Sequence, residues 1–522
     1  MSMNTLRLRL KLARPLCVLR HGLVIGALLS WGIVVASFAK EGAPDRKAED
    51  LLPFKPYAEA EIQAALQRPL YLEDCIRIAL SKSLALRQAA GDLRRAQALR
   101  SGSFGIYFPV LNVTGRKQAS TSIRSANDEL KLKDGGVDYN VEILGNAQML
   151  LPTSSIVTYS TDFFREYDAT VPSEPAKKDG RNSTLNLLQP LLRGATPKIA
   201  NSKVISAGHN KSLQEFNYLG QQLQTIYLIK RAYYVALLQR ELIRVNRSGA
   251  ASDSALVLAS EALVLAKLAS RRDVLSAQIR AADSRAVLIR SQTDFQGALD
   301  LLKDEMGLPI ETPITLGADT LKFAPVNLNE AELIQIALNN NPTLNVLKRV
   351  VKIAKLNSSL AHNNALPRLD VYGGYFWIHE RSAILNADLA RKSGWNAGFS
   401  FSYPLLHREA AGEAESAEIA ARQQEDRLAD LERQVTLNIR DIVRSASNSA
   451  EEVAAIRHSI AVAEQKLDFA RTMFNLGRAS NFDVTDAQEF LQNAQNQYLR
   501  KLVNYYSQLA QLETLTCKFI AR

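Results

Sequence analysis

The most regular hydrophobic pattern in the chain repeats every three or four residues over very long stretches. Apolar positions keep this spacing from Phe216 to Leu237 and again from Ile456 to Phe474, which predicts helices packed along a coiled-coil seam. No proline lies between Pro197 and Lys267, so one helix can reach about 70 residues, or about 105 Å. Helices of this length exceed the diameter of an ordinary globular domain.

A second pattern alternates at every residue and predicts strands. In residues 395–403, apolar side chains alternate with small or polar ones, the apolar positions being Trp395, Ala397, Phe399, Phe401 and Tyr403. Such a strand suits lipid on one face and water on the other, although a soluble sheet would also alternate. Residues 369–378 have strand composition and the roughly ten-residue length that a tilted membrane strand needs. The charged residues 379–393 between them predict an exposed loop.

The chain contains an internal duplication. Matching segments, given as first and second copy, are 83–115 with 341–373, 189–194 (QPLLRG) with 403–408 (YPLLHR), and 267–278 with 477–488. The offset between copies falls from 258 to 214 after the first match, so the first copy has the larger insertion between its first two segments. Residues 141–151 and 155–164 predict an extra hairpin in that insertion, followed by a loop at 166–182.

These patterns predict a mainly α protein with β structure, built as two repeats. The expected division is a signal peptide (1–39), an N-terminal linker (40–69), a first repeat (70–306), an equatorial linker (307–327), a second repeat (328–517) and a C-terminal tail (518–522).

The N-terminal segment has the layout of a secretory signal peptide. Five basic residues precede or border an uncharged run from Leu23 to Ala39 that ends in Ser-Phe-Ala, a small-x-small cleavage pattern. A membrane anchor is the alternative, since the run lies at the short end of the spanning range. Without this segment the formal charge falls from +11 to +6, and the remaining charges are interspersed along helices, which disfavours nucleic-acid binding.

Composition and motifs disfavour several other classes. Only Cys75 and Cys517 remain after export, without metal-ligand spacing, and no nucleophile motif points to an enzyme. No cofactor is expected. No run after Ala39 reaches 18 apolar residues, so no membrane-spanning helix is expected and any spanning structure should be a barrel.

The doubled layout resembles the TolC-like outer-membrane efflux and secretion channels. The resemblance rests on the helix-proline-strand units FPVLNVTG (108–115) and LPRLDVYGG (366–374), on QPLLRG, and on LGRASNFDVTDAQ (476–488). It implies a homotrimer whose strands complete one outer-membrane barrel and whose helices extend through the periplasm as a hollow tunnel. It also implies a passive exit duct in a Gram-negative bacterium, in contact with outer-membrane lipid. Its partners would be a periplasmic adaptor and an inner-membrane pump, either proton-driven or an ABC exporter.

The resemblance also implies roles for residues near the two helix breaks. Asp483 and Asp486 match the family's periplasmic constriction, where three chains would bring six carboxylates together; helix capping is the alternative role for Asp483. Asp273 matches a tip-closure position and could equally be a cap. Phe474 stands where the family often has a tyrosine that helps to close the tip, and phenylalanine has no hydroxyl to donate.

The breaks themselves are the predicted adaptor-docking tips. Their residues are Lys267, Leu268, Ala269 and Ser270 in the first break and Leu476, Gly477, Arg478, Ala479 and Ser480 in the second. A plain helical turn without a partner is the alternative. A disulfide between Cys75 and Cys517 is a further hypothesis, because helices 73–107 and 483–517 would place both thiols at similar heights.

The sequence is also compatible with a different class of protein. The same helices could belong to a periplasmic scaffold or tether without a pore, with the strands folded as a soluble β domain.

Overall fold

The computed structural model describes residues 53–120, 138–168, 176–267, 270–318, 322–382, 387–404, 408–476 and 478–519. The predicted signal peptide and the first part of the linker (40–52) lie outside these ranges. The helices are α1 Glu59–Leu66, α2 Leu72–Lys82, α3 Leu84–Ser103, α4 Pro197–Ala200, α5 Ser202–Leu265, α6 Arg271–Met306, α7 Glu330–Asn340, α8 Pro342–Asn364, α9 Arg408–Asn475 and α10 Asn481–Thr516. The strands are β1 Val110–Ser120, β2 Asp138–Leu150, β3 Ile156–Asp168, β4 Ala176–Pro190, β5 Arg368–Ser382 and β6 Ala387–Ser402.

The two very long helices predicted from the seam are present. Helix α5 has 64 residues and α9 has 68, so each is about 100 Å long. The seam residues Leu219, Ile226 and Tyr233 of α5 are buried. Burial of one stripe of side chains along the whole length stabilises helices that propensity alone would leave marginal.

Each long helix folds back through a short turn onto a medium one. Helix α5 packs against α6 and α9 packs against α10, while α10 also packs against α5. The largest apolar cluster joins α5 and α6 to α1 and α2, around Ile229, Tyr233, Leu302 and Met306. The three-helix contact of α5, α6 and α10 therefore positions both helical turns relative to each other.

The segment predicted as one helix over 73–107 is broken, which corrects that expectation. Ser83 has extended backbone geometry (φ −55°, ψ 127°) between α2 and α3. The start of the equatorial segment fits against this break. Gly307 follows α6 with a left-handed φ of 70°, and a Cβ there would lie 2.9 Å from the Lys82 carbonyl oxygen. Only glycine meets both requirements.

The six strands form one antiparallel sheet in the order β1-β2-β3-β4-β5-β6. Two loop predictions are wrong in part. Much of 379–393 is strand, because β5 continues to Ser382 and β6 begins at Ala387, and β4 already begins at Ala176 within the predicted loop 166–182. Charged strand ends pair with each other there, as Asp179 does with Arg381, so pairing overrides the polar composition.

One described helix, α5, is long and apolar enough by length and composition to cross a membrane. The expectation that no such helix exists is therefore wrong by this criterion. The property is weak evidence of spanning, because a packed helix passes the same test.

Candidate functional site

The strand register gives the sheet two chemically different faces. Directly paired residues share a face, and the pairing joins Leu111 to Ala147, Tyr159 to Leu185, and Tyr375 to Trp395. Odd-numbered positions of the six strands therefore lie on one face and even-numbered positions on the other, except beyond the register shift at Glu380/Arg381 in the β5–β6 hairpin.

The odd-numbered face is apolar and exposed in the single chain. Trp395 is 78% exposed and Phe399 is 73% exposed. Other exposed apolar members of this face, from β1 to β6, are Leu111, Val113, Val141, Ile143, Tyr159, Phe163, Leu185, Leu187, Val371, Tyr375 and Phe401. A contiguous apolar surface of this extent needs lipid or protein to cover it.

The even-numbered face is largely polar. Arg116 and Glu142 form an ion pair of 3.1 Å between β1 and β2, and the Ser160 and Thr184 hydroxyls are hydrogen-bonded at 2.6 Å between β3 and β4. A sheet with one apolar and one polar face is the arrangement of a membrane barrel wall around water.

At the other end of the long helices, the two turns carry matching helix caps. Ser270 donates to the Asp273 carboxylate from its backbone amide and its hydroxyl, both at 2.9 Å. Ser480 donates to Asp483 in the same way, at 2.7 and 2.8 Å. These bonds, the backbone one foremost, hold the pKa of the Asp483 carboxyl below its usual value. Both aspartates therefore cap α6 and α10 within the chain, and a constriction role for Asp483 is a prediction beyond this.

Asp486 lies one turn further along α10 and is paired. Its carboxylate is 2.7 Å from the Lys466 ammonium of α9, which also lies 4.0 Å from the ring centre of Phe490. Both partners of this ion pair are more than a third exposed, so solvent screens the interaction. The positive charge of Lys466 in the same chain thus partly offsets the negative charge that Asp486 adds to the tip.

Phe474 is 6% exposed and contributes packing at the tip. It belongs to an apolar cluster with Leu256, Leu467, Val484 and Ala487, which joins α5, α9 and α10. Phe474 therefore makes apolar contacts near the tip, and a part in tip closure stays a prediction.

Sequence reasoning missed the residue that links the two turns. Asn481, the first residue of α10, donates from its amide to the Ser260 hydroxyl at 2.7 Å and to the Asp273 carbonyl oxygen at 3.0 Å. Both Asn481 and Ser260 are buried. Asn481 therefore bonds α10 to the last part of α5 and to the start of α6.

Two further polar layers lie along α5, seven and fourteen residues before Ser260 and so further from the tip. Asp253 is 2% exposed; it accepts from the Ser284 hydroxyl and from the Gln488 amide, the latter at 3.1 Å. Burial raises the pKa of the Asp253 carboxyl, against the opposing effects of the Ser284 bond and the Arg280 charge.

The layer furthest from the tip contains only neutral side chains. Asn246 donates to the Ser291 hydroxyl at 2.6 Å and accepts from the Gln492 amide at 2.8 Å. The spacing of Asn246, Asp253 and Ser260 is the sequence signal that could have revealed these layers, since polar residues at one heptad position specify partner and register.

Some predicted docking residues can be placed and others lie outside the described part of the chain. Leu268, Ala269 and Gly477 fall outside it. Lys267 has a left-handed φ of 60° at the end of α5, and Leu476 is 63% exposed. Ser270 and Ser480 are exposed and act as caps, and Arg478 is exposed beside the half-buried Ala479.

The hypothesised disulfide is absent, and both thiols are free. Cys75 is buried in the cluster of α2, α5 and α6, while the Cys517 thiol donates to the Asn340 carbonyl oxygen at 3.4 Å. Burial raises the pKa of each thiol to about 12. The two thiols therefore lie in separate environments, each as a protonated side chain at neutral pH.

A two-faced antiparallel sheet joined to helices of about 100 Å defines a class, that of outer-membrane proteins with a helical periplasmic extension. Residues 333–517 match the family model for outer membrane efflux proteins. The chain is 24% identical over 356 residues to the alkaline protease secretion protein AprF of Pseudomonas aeruginosa, covering 67% of this chain and 69% of that relative.

Solved structures share the fold. The outer-membrane protein VceC of Vibrio cholerae has a TM-score of 0.62 at 18% identity, over 86% of this chain and 96% of that one. The outer-membrane channel OprN has a TM-score of 0.59 at 18% identity, over 92% and 98%. The Campylobacter jejuni channel CmeC has 0.62 at 13% identity, over 86% of each.

The match to the outer membrane efflux protein model over residues 333–517, together with AprF and the structural neighbours, confirms the TolC-like resemblance. Its location is the cell outer membrane, with an extension into the periplasm. The family and the structural neighbours are channel proteins rather than enzymes.

Proposed function

We propose that three copies of this chain form an outer-membrane exit duct, a passive conduit without catalytic activity. The observation that carries the proposal is the two-faced sheet. An open sheet leaves unpaired backbone groups at its edges, which hydrocarbon does not tolerate. Among the described residues, β1 pairs only with β2 and β6 only with β5. Closure through neighbouring copies satisfies both edges and turns the polar face into a water-filled lumen.

The helices supply the second part of the duct. Helices α5 and α9 run from the sheet to the tips, and α6 and α10 return from the tips over about half of that length. Three copies of these helices would enclose a coiled-coil tunnel across the periplasm. The division into repeats at 70–306 and 328–517 accounts for this, because each half supplies strands, one very long helix and one returning helix.

The duct would receive cargo from a periplasmic adaptor and an inner-membrane pump, either proton-driven or an ABC exporter. The exposed tip residues Lys267, Leu476 and Arg478 support an adaptor-docking surface there. The similarity to AprF, a protein named for alkaline protease secretion, favours type I secretion as the system. A periplasmic scaffold is the rival function, but in it the apolar face of the sheet would be exposed to water.

The constriction would be formed by Asp483 and Asp486 from three copies. Both lie at the start of α10, three residues apart, and Asp483 uses only one carboxylate oxygen for its cap. A ring of carboxylates attracts cations and resists anions. Tip closure would rest on the packing of Phe474 and on the backbone of Asp273, which accepts from Asn481.

Single-channel recording tests the duct and its constriction together. The purified protein should open pores in planar bilayers and migrate as a heat-modifiable oligomer, and failure of both would leave the scaffold. In the double variant Asp483→Asn, Asp486→Asn, block by multivalent cations from the periplasmic side should weaken. Asp273→Asn is the matched control, because it alters the same cap in the other turn. Equal block in the double variant and the wild type would mean that the two aspartates do not form a constriction.

A further inference from the structure

We propose that the inserted hairpin β2–β3 is part of the barrel wall, so that a trimer closes eighteen strands around an unusually wide outer-membrane lumen. This inference rests on the proposed trimeric duct and specifies the number of strands in its barrel. The second half of the chain supplies two strands, β5 and β6, whereas the first half supplies four. Two strands from each half would give twelve in a trimer.

The first argument is the continuity of the sheet. Strand β2 pairs with β1 over its whole length, from Val110 opposite Gln148 to Ser120 opposite Asp138. Strand β3 pairs with β4 from Ile156 opposite Leu188 to Asp168 opposite Ala176. The hairpin therefore occupies two full positions between β1 and β4, and neither of those strands can pair with the other.

The second argument is the continuity of the apolar face across the insertion. Ile143 is opposite Phe163, on the same face as the exposed aromatic residues of β6. The Tyr159 ring of the hairpin stacks on the Trp377 ring of β5, with centroids 6.1 Å apart and planes at 27°. This contact passes over β4, where the intervening Ser183 is small and 1% exposed.

The third argument fixes the height of the hairpin. Its turn is fastened to the place where the strands meet the helices: the Asn201 amide donates to the Pro152 carbonyl oxygen at 3.2 Å, and the Tyr107 hydroxyl donates to Asn201 at 2.7 Å. Ser154 lies in the same turn with a φ of 75° and is 2% exposed. A turn built into the helical junction is the periplasmic end of the hairpin, so β2 and β3 cross the membrane as β1 and β4 do.

The strand number sets the width of the lumen. A strand tilted by about 40° takes about 6.3 Å of circumference, so eighteen strands give a backbone diameter of about 36 Å and twelve give about 24 Å. The insertion adds no long helix, so it widens only the membrane part of the duct. A helix with side chains is about 10–12 Å across, so this mouth admits polypeptide that has begun to fold. The cargo class it favours is protein, and a small-molecule efflux duct gains nothing from the extra width.

A deletion of residues 138–168 tests the strand count. It joins β1 to β4 through the existing connecting residues, and the two strands are antiparallel, with even-numbered residues aligned to even-numbered ones through β2 and β3. Both faces are therefore preserved. The assay is the size of neutral polymers, added on the extracellular side, that enter the pore in planar bilayers. The largest polymer radius admitted should fall by at least about one third in the deletion variant, because the side chains narrow both lumens by the same amount. An unchanged threshold would overturn the proposal.

Cysteine labelling of the full-length chain tests the same point without a deletion. In a background with Cys75→Ser and Cys517→Ser, Ile143→Cys should resist a water-soluble maleimide and Asn146→Cys should react. Phe399→Cys and Ser400→Cys, on β6, are the matched pair for a strand of the second half. Equal reaction at both β2 positions, with the β6 pair still discriminating, would place the hairpin outside the wall and overturn the proposal. Absence of pores and of discrimination in β6 would instead refute the duct itself.

Discussion

A charge placed on the apolar face of β6 should block assembly, whereas the same charge one residue further on should be tolerated. Phe399 lies near the middle of the apolar part of β6, 394–403, and is 73% exposed in the single chain. Phe399→Arg therefore removes little packing within the chain. Ser400 lies on the polar face opposite Asp370, whose carboxylate is paired with Arg368 at 2.6 Å. Ser400→Arg therefore keeps its charge on the polar face of the sheet and away from the apolar one.

The expected size of the difference follows from the solvent on each face. Arginine on the lipid face costs about 2–4 kcal/mol near the middle of the bilayer. Three copies in one barrel then cost about 6–12 kcal/mol, and the lower figure already corresponds to roughly four powers of ten in the assembled population. In a soluble sheet with this side chain exposed to water, the same substitution costs close to nothing.

The assay is the amount of heat-modifiable oligomer in isolated outer membranes, together with urea titration of refolding into lipid vesicles. Phe399→Arg should give little or no oligomer and Ser400→Arg should give wild-type amounts. Equal assembly of the two variants would mean that the odd-numbered face does not meet lipid, and it would favour the periplasmic scaffold.

Three further predictions concern the tips. Asn481→Ala removes both amide bonds of Asn481 and leaves Ser260 buried without that partner, so the local free energy of opening should fall by about 1–3 kcal/mol; unchanged hydrogen exchange at the start of α10 would contradict this. The pKa of Asp253 is raised on folding, so its charged form costs stability at neutral pH, and the cost disappears as the pH falls below the folded-state pKa. Asp253→Asn should accordingly raise the thermal stability at pH 7 and have less effect at pH 4, and a loss at pH 7 would refute the reasoning. Lys466→Ala frees Asp486 from its ion pair, so block by multivalent cations should strengthen in bilayer recordings, and weaker block would count against the constriction.

The helices could be predicted closely because their signal is local. A three-four apolar spacing and the absence of proline are contained in the helix itself, and the predicted limit at Lys267 lies two residues beyond the observed end of α5 at Leu265. The break at Ser83 was missed for the opposite reason. Nothing in residues 73–107 forbids one continuous helix, and the segment that lies against the break, at Gly307, is more than 200 residues away in the sequence.

The strand ends could not be predicted because composition does not report pairing. Residues 379–393 are charged and were expected to be a loop, yet Arg381 pairs with Asp388 within the hairpin. The strand character of 141–151, 155–164, 369–378 and 395–403 was recognised from composition, whereas β4 was not predicted as a strand. Where both faces of a strand are polar, composition no longer distinguishes the strand from a loop.

The same distinction between local signals and long-range contacts applies to the candidate site. The caps at Asp273 and Asp483 were foreseen as alternatives because a cap needs only residues three apart. The bonds of Asn481 to Ser260 and Asp273, and the bond of Gln488 to Asp253, join residues more than 200 positions apart. Only the folded contact between the helices reveals them. Polar residues at one heptad position must find their own partners or remain unsatisfied. These layers therefore fix the register of α5 against α10 near the tip, a specificity that apolar seam residues alone do not provide.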